Sequence, residues 1–464
     1  MNQMAWSAIL VAGLACLPGC GTKDPASSGG PDQPSVVIVS IDTLRADRTS
    51  VYGAERETTP GLEALARESL VFDGAHTVVA WTLTAHMSML TGLYPEQHGV
   101  RTQGKAFGEE RELLAERLSR AGFETYGLYF SGWIHPRHGF DRGFDVFQAH
   151  KNAEEAFANA KDVIGSRDPN RPLFLFLHLF DVHSVAINGT TSLAYEAPDR
   201  YLRRFLPDAP DRFAPGSALE IWNGEREPTA AELEGLEALY DGAIRHVDDR
   251  LSDALASWDE AGLLEEALLI VTSDHGESLG TRSASYAAHG GLFEEGMRVP
   301  LLIRRPDGER AGERVSQLVS LVDLVPTILN FCGLESAHPL PGLDLFGELP
   351  VDRLLIGQSQ NLIALLRYPD KLLTPARPGG RGHRTRLDLD PEELRPIFAE
   401  DDLTGFSDLR VELFRHYRTL KKTQAWQPTE PGKAWVFSPS ELDSLRALGY
   451  AEELDRGKEP ATTR

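Results

Sequence analysis

Leu268-Leu-Ile-Val-Thr-Ser-Asp-His-Gly-Glu277 constrains this chain more than any other stretch. Its apolar head, Ala267 to Val271, has the length and unbroken hydrophobicity of a strand covered on both faces of a parallel sheet. The run closes on Thr272 and Ser273 and then sets Asp274 beside His275. Ligands of open α/β sheets lie beyond the carboxyl ends of the strands, so a carboxylate and an imidazole there point to a site. Taken alone, the stretch also fits a buried Asp satisfied by local amides and an ordinary loop His. Two further apolar runs end in the same manner. Val36-Val-Ile-Val-Ser-Ile leads into Asp42, and Pro172-Leu-Phe-Leu-Phe-Leu177 leads into His178-Leu-Phe-Asp-Val-His183.

The 464 residues allow one large α/β domain with a smaller appended part, or two domains. A formal charge of -22 argues against nucleic acid or an anionic membrane surface as the main partner, since both need a basic footprint. An anionic substrate stays open, because a bound cation reverses the field locally. Ala5 to Leu17 is apolar but short, closer to a signal-peptide core than to a membrane span, and no Lys or Arg precedes it. Leu17-Pro-Gly-Cys20 resembles a bacterial lipobox, with Pro18 unusual in it, so residues 1–20 are expected to be an export leader. Cys20 would carry the lipid that holds the chain in the periplasm or cell envelope, with a plain secretory signal as the alternative. Residues 21–34, rich in Gly, Ser, Pro and Asp, read as a flexible tether. Cys16 and Cys20 fall in the leader and leave Cys332 unpaired, so no disulfide framework is expected.

Thr59-Pro60 predicts a helix start, with Thr59 as cap and Leu62, Leu65, Ala66 and Leu70 as the buried stripe. Thr82 falls near the start of the next helix, where backbone N–H groups and the dipole favour an anion; capping is its alternative role. Thr125 to Phe130 reads as a strand. Residues 184–228 read as a long insertion of the kind that sets substrate choice. Thr229-Ala-Ala-Glu232 is a capping box, and Leu233, Leu236, Leu239, Ile244, Val247, Leu251 and Leu255 continue it with helical period. Val299 to Ile303 reads as a strand, and Val315 to Leu334 as strand, turn and helix with Asp323 near the cap.

Five segments in order carry a resemblance. They are Ile41-Asp-Thr-Leu-Arg-Ala-Asp47, Leu90-Thr-Gly-Leu-Tyr-Pro95 with His98-Gly99, Gly139-Phe-Asp-Arg-Gly-Phe-Asp145, Thr272-Ser-Asp-His-Gly-Glu277 and Phe293-Glu-Glu-Gly-Met-Arg-Val-Pro300. From about Val36 to about Leu345 the chain resembles the sulfatase family of the alkaline phosphatase superfamily. The resemblance implies an α/β fold: a central, mostly parallel sheet flanked by helices over residues 35–345. A smaller α+β subdomain with an antiparallel sheet follows over 346–464. In that family the position of Thr82 is a Cys or Ser oxidised to formylglycine, within Cys-x-Pro-Ser-Arg. Here it reads Thr82-Leu-Thr-Ala-His86. Threonine carries a methyl on Cβ and cannot give the aldehyde, and His86 replaces the supporting Arg. The wider superfamily offers a second route, in which a metal-bound Thr or Ser alkoxide attacks the ester directly.

The resemblance implies Asp42, Asp274 and His275 as metal ligands with Thr82 as the fourth. Calcium follows from the family, while the imidazole admits Zn²⁺ or Mn²⁺. Thr43 stands where many sulfatases have a second Asp, so one familiar ligand is gone. Asp181-Val-His183 resembles the family's Asp-Pro-His, which makes His183 a candidate for the substrate oxyanion; His178 is expected to be a core residue bonded to backbone. His289 falls where many sulfatases place a Lys that bridges sulfate and nucleophile, and a His there can hold an oxyanion or protonate a leaving alkoxide. Asp181, His183 and His289 are the candidates for a second metal set. Ser131-Gly-Trp-Ile-His135 lacks the family lysine, and His135 and His138 read as surface-loop residues. The catalytic candidates are therefore Thr82, His86, His183 and His289. The expected activity is metal-dependent hydrolysis of a small anionic ester: a sulfated or phosphorylated glycan, lipid or aryl ester. An envelope phospho-group transferase and an inactive binding protein of the same fold are the alternatives.

Overall fold

Strands without a polar face have to be covered twice, and the central sheet is built that way. The structure is a computed structural model and describes residues 33–130, 132–186, 193–195, 197–208, 226–280, 291–359, 361–376, 382–398, 408–413 and 415. Strands β1 (Ser35–Ile41), β2 (Leu70–His76), β3 (Glu124–Phe130), β4 (Val146–His150), β5 (Leu173–Leu179), β8 (Ala267–Thr272), β9 (Leu301–Arg304) and β10 (Arg314–Ser320) form one sheet in the order β10-β2-β9-β8-β1-β5-β3-β4. All neighbours are parallel except β9, which runs antiparallel to both β2 and β8. A two-stranded ribbon, β6 (Val185–Ala186) with β7 (Leu193–Ala194), lies within the insertion after β5.

Alternation sorts each strand between two cores. Val36 and Ile38 of β1, Phe174 and Phe176 of β5, and Leu268 and Ile270 of β8 share one core with Leu83, Met87 and Leu90. Val37 and Val39, Leu175 and Leu177, and Leu269 and Val271 share the other with Leu236, Ile244, Val247 and Leu251. Each such side chain, fully buried, contributes roughly 1.5–3 kcal/mol. The first core is covered by α2 (Thr82–Thr91), which is buried at every position although Thr82, Thr84, His86, Ser88 and Thr91 are polar. The second is covered by α1 (Pro60–Ala66), α5 (Ala153–Ser166) and the long α7 (Ala230–Glu260), whose Thr229–Glu232 capping box forms as predicted. Between them in sequence lie the short α3 (Pro95–His98), α4 (Leu114–Arg120) and α6 (Asp199–Phe205). None of the described helices is long and apolar enough to cross a membrane.

Two local expectations are corrected. Leu70 does not extend the stripe of α1, because the helix closes at Ala66 and Leu70 opens β2. Thr59 precedes α1 but spends its hydroxyl on the Ser50 N–H. The cap comes from α7 instead: the Asp248 carboxylate accepts from Gly61 N at 2.7 Å and Leu62 N at 2.8 Å. A residue almost 190 positions away has no local signature in a cap pattern.

The smaller C-terminal part is a five-stranded antiparallel sheet, β11 (Leu355–Gln358), β12 (Leu362–Arg367), β13 (Asp370–Pro375), β14 (His383–Arg386) and β15 (Ile397–Phe398), in that order. Residues 442–450, expected to belong to this part, lie outside the described residues. The small sheet is fastened by buried charge to α8 (Glu294–Met297). Lys371 Nζ sits 2.9 Å from Glu294 Oε1 and 3.1 Å from Glu393 Oε2, and His76 Nε2 is 2.9 Å from Glu294 Oε2. Burial alone would raise the Glu294 pKa, but the Lys371 ammonium and then His76 hold it well below the ordinary range. The remaining helix, α9 (Leu324–Phe331), follows β10; Asp323 before it accepts from Ser320 N and pairs with Arg353.

The same α8 backs the turn after β8. Gly276 N–H donates to Gly296 O at 2.9 Å, and a Cβ on Gly276 would stand 2.0 Å from the Glu295 carbonyl oxygen. That is a backbone atom and cannot swing away. Gly276→Ala is therefore expected to destabilise by at least about 1–3 kcal/mol. Gly165→Ala, near the end of α5 with nothing within 4 Å of its Cβ, should instead be neutral or stabilise by up to about 1 kcal/mol. Urea unfolding of the two variants measures both; equal midpoints would refute the packing argument.

Candidate active site

The register of three strands brings the predicted residues together. Ser40 of β1 pairs with Thr272 of β8 on one side and His178 of β5 on the other. Asp42 and Asp274 therefore emerge beside each other at the carboxyl ends. After Asp42 the chain turns through Thr43, whose φ of 58° is costly for a residue with a branched side chain. Three bonds hold it: Thr43 Oγ1 donates to Asp42 O at 2.8 Å and Val182 O at 3.0 Å, and Tyr240 of α7 donates to Thr43 O at 2.6 Å. Thr43 thus uses its side chain on backbone and offers no ligand, in line with its departure from the family's second Asp.

Asp42, Asp274 and His275 are all fully buried, and each presents one atom to a common point. Asp274 Oδ1 accepts from His275 N at 2.8 Å and Thr43 N at 3.2 Å. Asp274 Oδ2 and Asp42 Oδ1 accept no hydrogen bond. His275 Nδ1 lies 2.8 Å from the Gly276 carbonyl oxygen, which can only accept, so the neutral ring carries its proton there. The lone pair is then on Nε2, 3.4 Å from Asp274 Oδ2 and 3.9 Å from Asp42 Oδ1. A nitrogen lone pair facing two carboxylate oxygens is repulsive unless a proton or a cation lies between them. Burial pushes the Asp42 pKa well above the carboxylate range. Burial, and then the Asp42 charge, raise Asp274 to about 7. Burial also lowers His275 to about 4, which keeps it neutral as a ligand must be. The two carboxylate oxygens and one imidazole fit a divalent cation, and their chemistry does not distinguish calcium from zinc or manganese.

Thr82 is the first residue of α2, with Trp81 in the cap position and no side-chain cap bond. Its hydroxyl faces the cluster, 3.3 Å from His275 Nε2 and 3.4 Å from Asp42 Oδ2. The capping alternative for Thr82 is set aside on that geometry. His86, one turn on, donates Nδ1–H to the Thr82 carbonyl at 3.0 Å and accepts from Ser40 Oγ at 2.9 Å. Burial lowers its pKa to about 3. With Nδ1 also 3.4 Å from Asp274 Oδ2, His86 braces the first turn of α2 and a carboxylate as a neutral group, where the family's Arg is a cation.

His178 is the residue the sequence reading missed. Its Nδ1 does take a backbone bond, from Phe130 N at 3.4 Å, but Nε2 lies 3.0 Å from Asp42 Oδ2. The signal available was register: a His level with Ser40 on the neighbouring strand, one residue before the end of β5. His183 stacks on Phe180 at 4.2 Å and donates Nδ1–H to Ser184 O at 2.6 Å. Ser184 Oγ and Tyr195 OH both donate to Glu277, at 2.6 and 2.9 Å, which ties the His183 loop to the segment carrying Asp274. Asp181 is drawn elsewhere, accepting from Ala153 N at the head of α5. The described residues contain one metal-type cluster, and Asp181 is not in it. His289, the remaining catalytic candidate, lies outside the described residues. His138 corrects another expectation: it is buried, with Nδ1–H on the Lys105 carbonyl, whereas His135 accepts from Arg137 N in its own turn.

A profile of the Sulfatase family matches residues 34–334. The arylsulfatase of Clostridium perfringens is 22% identical over 388 residues, spanning 68% of this chain and 78% of that protein. The N-acetylglucosamine-6-O-sulfatase of Bacteroides thetaiotaomicron is 21% identical over 393 residues, spanning 68% and 70%. The crystal structure of the phosphonate monoester hydrolase of Agrobacterium radiobacter superposes with a TM-score of 0.67 at 19% identity, covering 88% of this chain and all of that one. That level of identity shows a common fold, and the family profile spans well over half of the sequence. The chain belongs to the sulfatase family of the alkaline phosphatase superfamily, a family of sulfuric and phosphoric ester hydrolases.

Proposed function

We propose that this chain is a metal-dependent hydrolase of sulfate or phosphate esters in which Thr82 is the nucleophile. The observation that carries this reading is one hydroxyl within 3.4 Å of two groups of a buried donor set in which Asp42 Oδ1 and Asp274 Oδ2 receive no hydrogen bond. Asp42, Asp274 and His275 would hold the cation, with the Thr82 hydroxyl beside it. A divalent ion there lowers the pKa of an adjacent hydroxyl and offsets the charge that builds on the ester oxygens. Thr82 Oγ1 attacks sulfur or phosphorus, its proton passes to Asp42 Oδ2, and the bond to the leaving oxygen breaks. His183, with Nδ1–H on Ser184 and a second proton on Nε2, would give the Nε2 proton to the leaving oxygen and then take one from the water that frees Thr82, while the proton on Asp42 returns to the Thr82 hydroxyl. His289 would share in holding the oxyanion.

Calcium is the cation the family favours. The relatives' names, arylsulfatase and N-acetylglucosamine-6-O-sulfatase, support a sulfated glycan or aryl ester as substrate. The phosphonate monoester hydrolase fold supports phosphorus esters as a second class. The leader through Cys20 would place the enzyme in the periplasm or cell envelope. Mass spectrometry of the mature N-terminus tests that placement; a chain still beginning at Met1 would refute it.

Two measurements test the chemistry. Thr82→Ala should lower turnover of nitrophenyl sulfate, bis-nitrophenyl phosphate and phenylphosphonate monoesters by at least roughly 10³-fold, while Thr82→Ser retains measurable activity. Full activity in Thr82→Ala would remove the nucleophile from this scheme. Dialysis against a chelator should abolish turnover and lower the melting temperature, and Ca²⁺, Mn²⁺ or Zn²⁺ should restore both. An ion at a hundred times its Kd adds about 2.7 kcal/mol of stability. A melting temperature indifferent to chelator and to all three ions would count against the metal.

A further inference from the structure

A ligating carboxylate has two oxygens, and something has to decide which one meets the cation. At Asp274 the backbone decides, through the two N–H groups on Oδ1. Asp42 receives no such pair. Its Oδ2 faces His178 Nε2 at 3.0 Å and Thr82 Oγ1 at 3.4 Å, and Oδ1 takes no hydrogen bond.

The protonation of His178 follows from its other nitrogen. Phe130 N–H donates to Nδ1, so Nδ1 is the acceptor and Nε2 carries the proton. The opposite tautomer would set two protons against each other at Nδ1 and a lone pair against a carboxylate at Nε2. The ring is held from several sides. His86 packs edge-on at 4.8 Å and Phe180 at 6.2 Å, and His150 Nε2–H donates to the His178 carbonyl at 2.8 Å. His178 therefore presents a fixed, neutral donor to one oxygen of Asp42.

We propose that His178 is a positioning residue for the metal site: by donating Nε2–H to Asp42 Oδ2 it fixes the carboxylate so that Oδ1 alone meets the cation. The inference rests on the reading of Asp42 as a metal ligand. Such partners of a ligand orient it, and their loss typically weakens binding about 10–100-fold. It also sets a division of labour within one side chain. Oδ1 serves the cation, and Oδ2 stays beside the Thr82 hydroxyl as the acceptor for its proton. Nothing in the residue order around His178 announces this, because the contact is made across two strands.

The test is Mn²⁺ titration of the chelator-stripped full-length chain, followed by electron paramagnetic resonance, in wild type, His178→Leu and His178→Gln. Glutamine places an amide N–H near the position of Nε2, whereas leucine fills the space without a donor. The Kd for Mn²⁺ should rise about 10–100-fold in His178→Leu and return to within roughly fivefold of wild type in His178→Gln. Circular dichroism of each metal-free variant establishes that it is folded. A merely space-filling role would leave His178→Leu like wild type, and that result overturns the proposal. Equal weakening in both folded variants overturns it too, since the donor would then not be what matters. A wild-type chain that binds neither Mn²⁺ nor Ca²⁺ overturns the metal reading itself, and is distinguishable from either of these.

Discussion

Everything at this site depends on burying two carboxylates side by side. Strand β1 lies between β5 and β8 in parallel register, with both faces of all three strands covered by helices. That arrangement excludes water from the strand ends, and Asp42 and Asp274 are both inaccessible to solvent. Burial strips both of hydration and drives both pKa values upward, and at Asp274 the Asp42 charge adds to that shift. A divalent cation between them would remove the penalty in one step. The threonine hydroxyl is placed by the same sheet, because α2 packs on the face that Val36, Ile38, Phe174 and Phe176 expose.

The substitution of Thr82 for an oxidisable residue does not stand alone. His86 takes the place of the family arginine, and Thr43 the place of a second aspartate. Each change has a matching local arrangement. His86 bridges Ser40 and the Thr82 carbonyl as a neutral ring, and Thr43 spends its hydroxyl on two backbone carbonyls. The local charge balance therefore loses one cation and one anion together relative to the family pattern.

How far the sequence could be read depended on the range of the interaction. Apolar runs such as Ala267 to Val271 announced their strands, because burial on both faces leaves no polar interruption. The capping box at Thr229 announced α7, because both its partners lie within one turn. Asp42, Asp274, His275 and Thr82 were legible as a group through the ordered motifs, and the structure gathers them. What escaped were contacts between segments far apart in sequence. Asp248 caps α1 from another helix, and His178 reaches Asp42 from the neighbouring strand. Gly276 has its meaning in the carbonyl of Glu295, which no spacing rule relates to it. Leu70 continued a helical period by coincidence, since a period of 3.6 and an alternating strand share residues over so short a span.

The buried Lys371 has an implication for how this protein can be divided. Its ammonium is enclosed by Glu294 and Glu393, and Glu294 in turn meets His76 of the central sheet. Removing the five-stranded sheet by truncation would take away the principal counter-charge of Glu294 and uncover Leu292 and Met297, which pack against Ala364 and Leu373 of that sheet. The helix so undermined is the one that abuts Gly276, next to His275 in the chain. The C-terminal sheet is thus a buttress rather than an appendage, and the larger part is not a module that can be excised and expected to keep its shape.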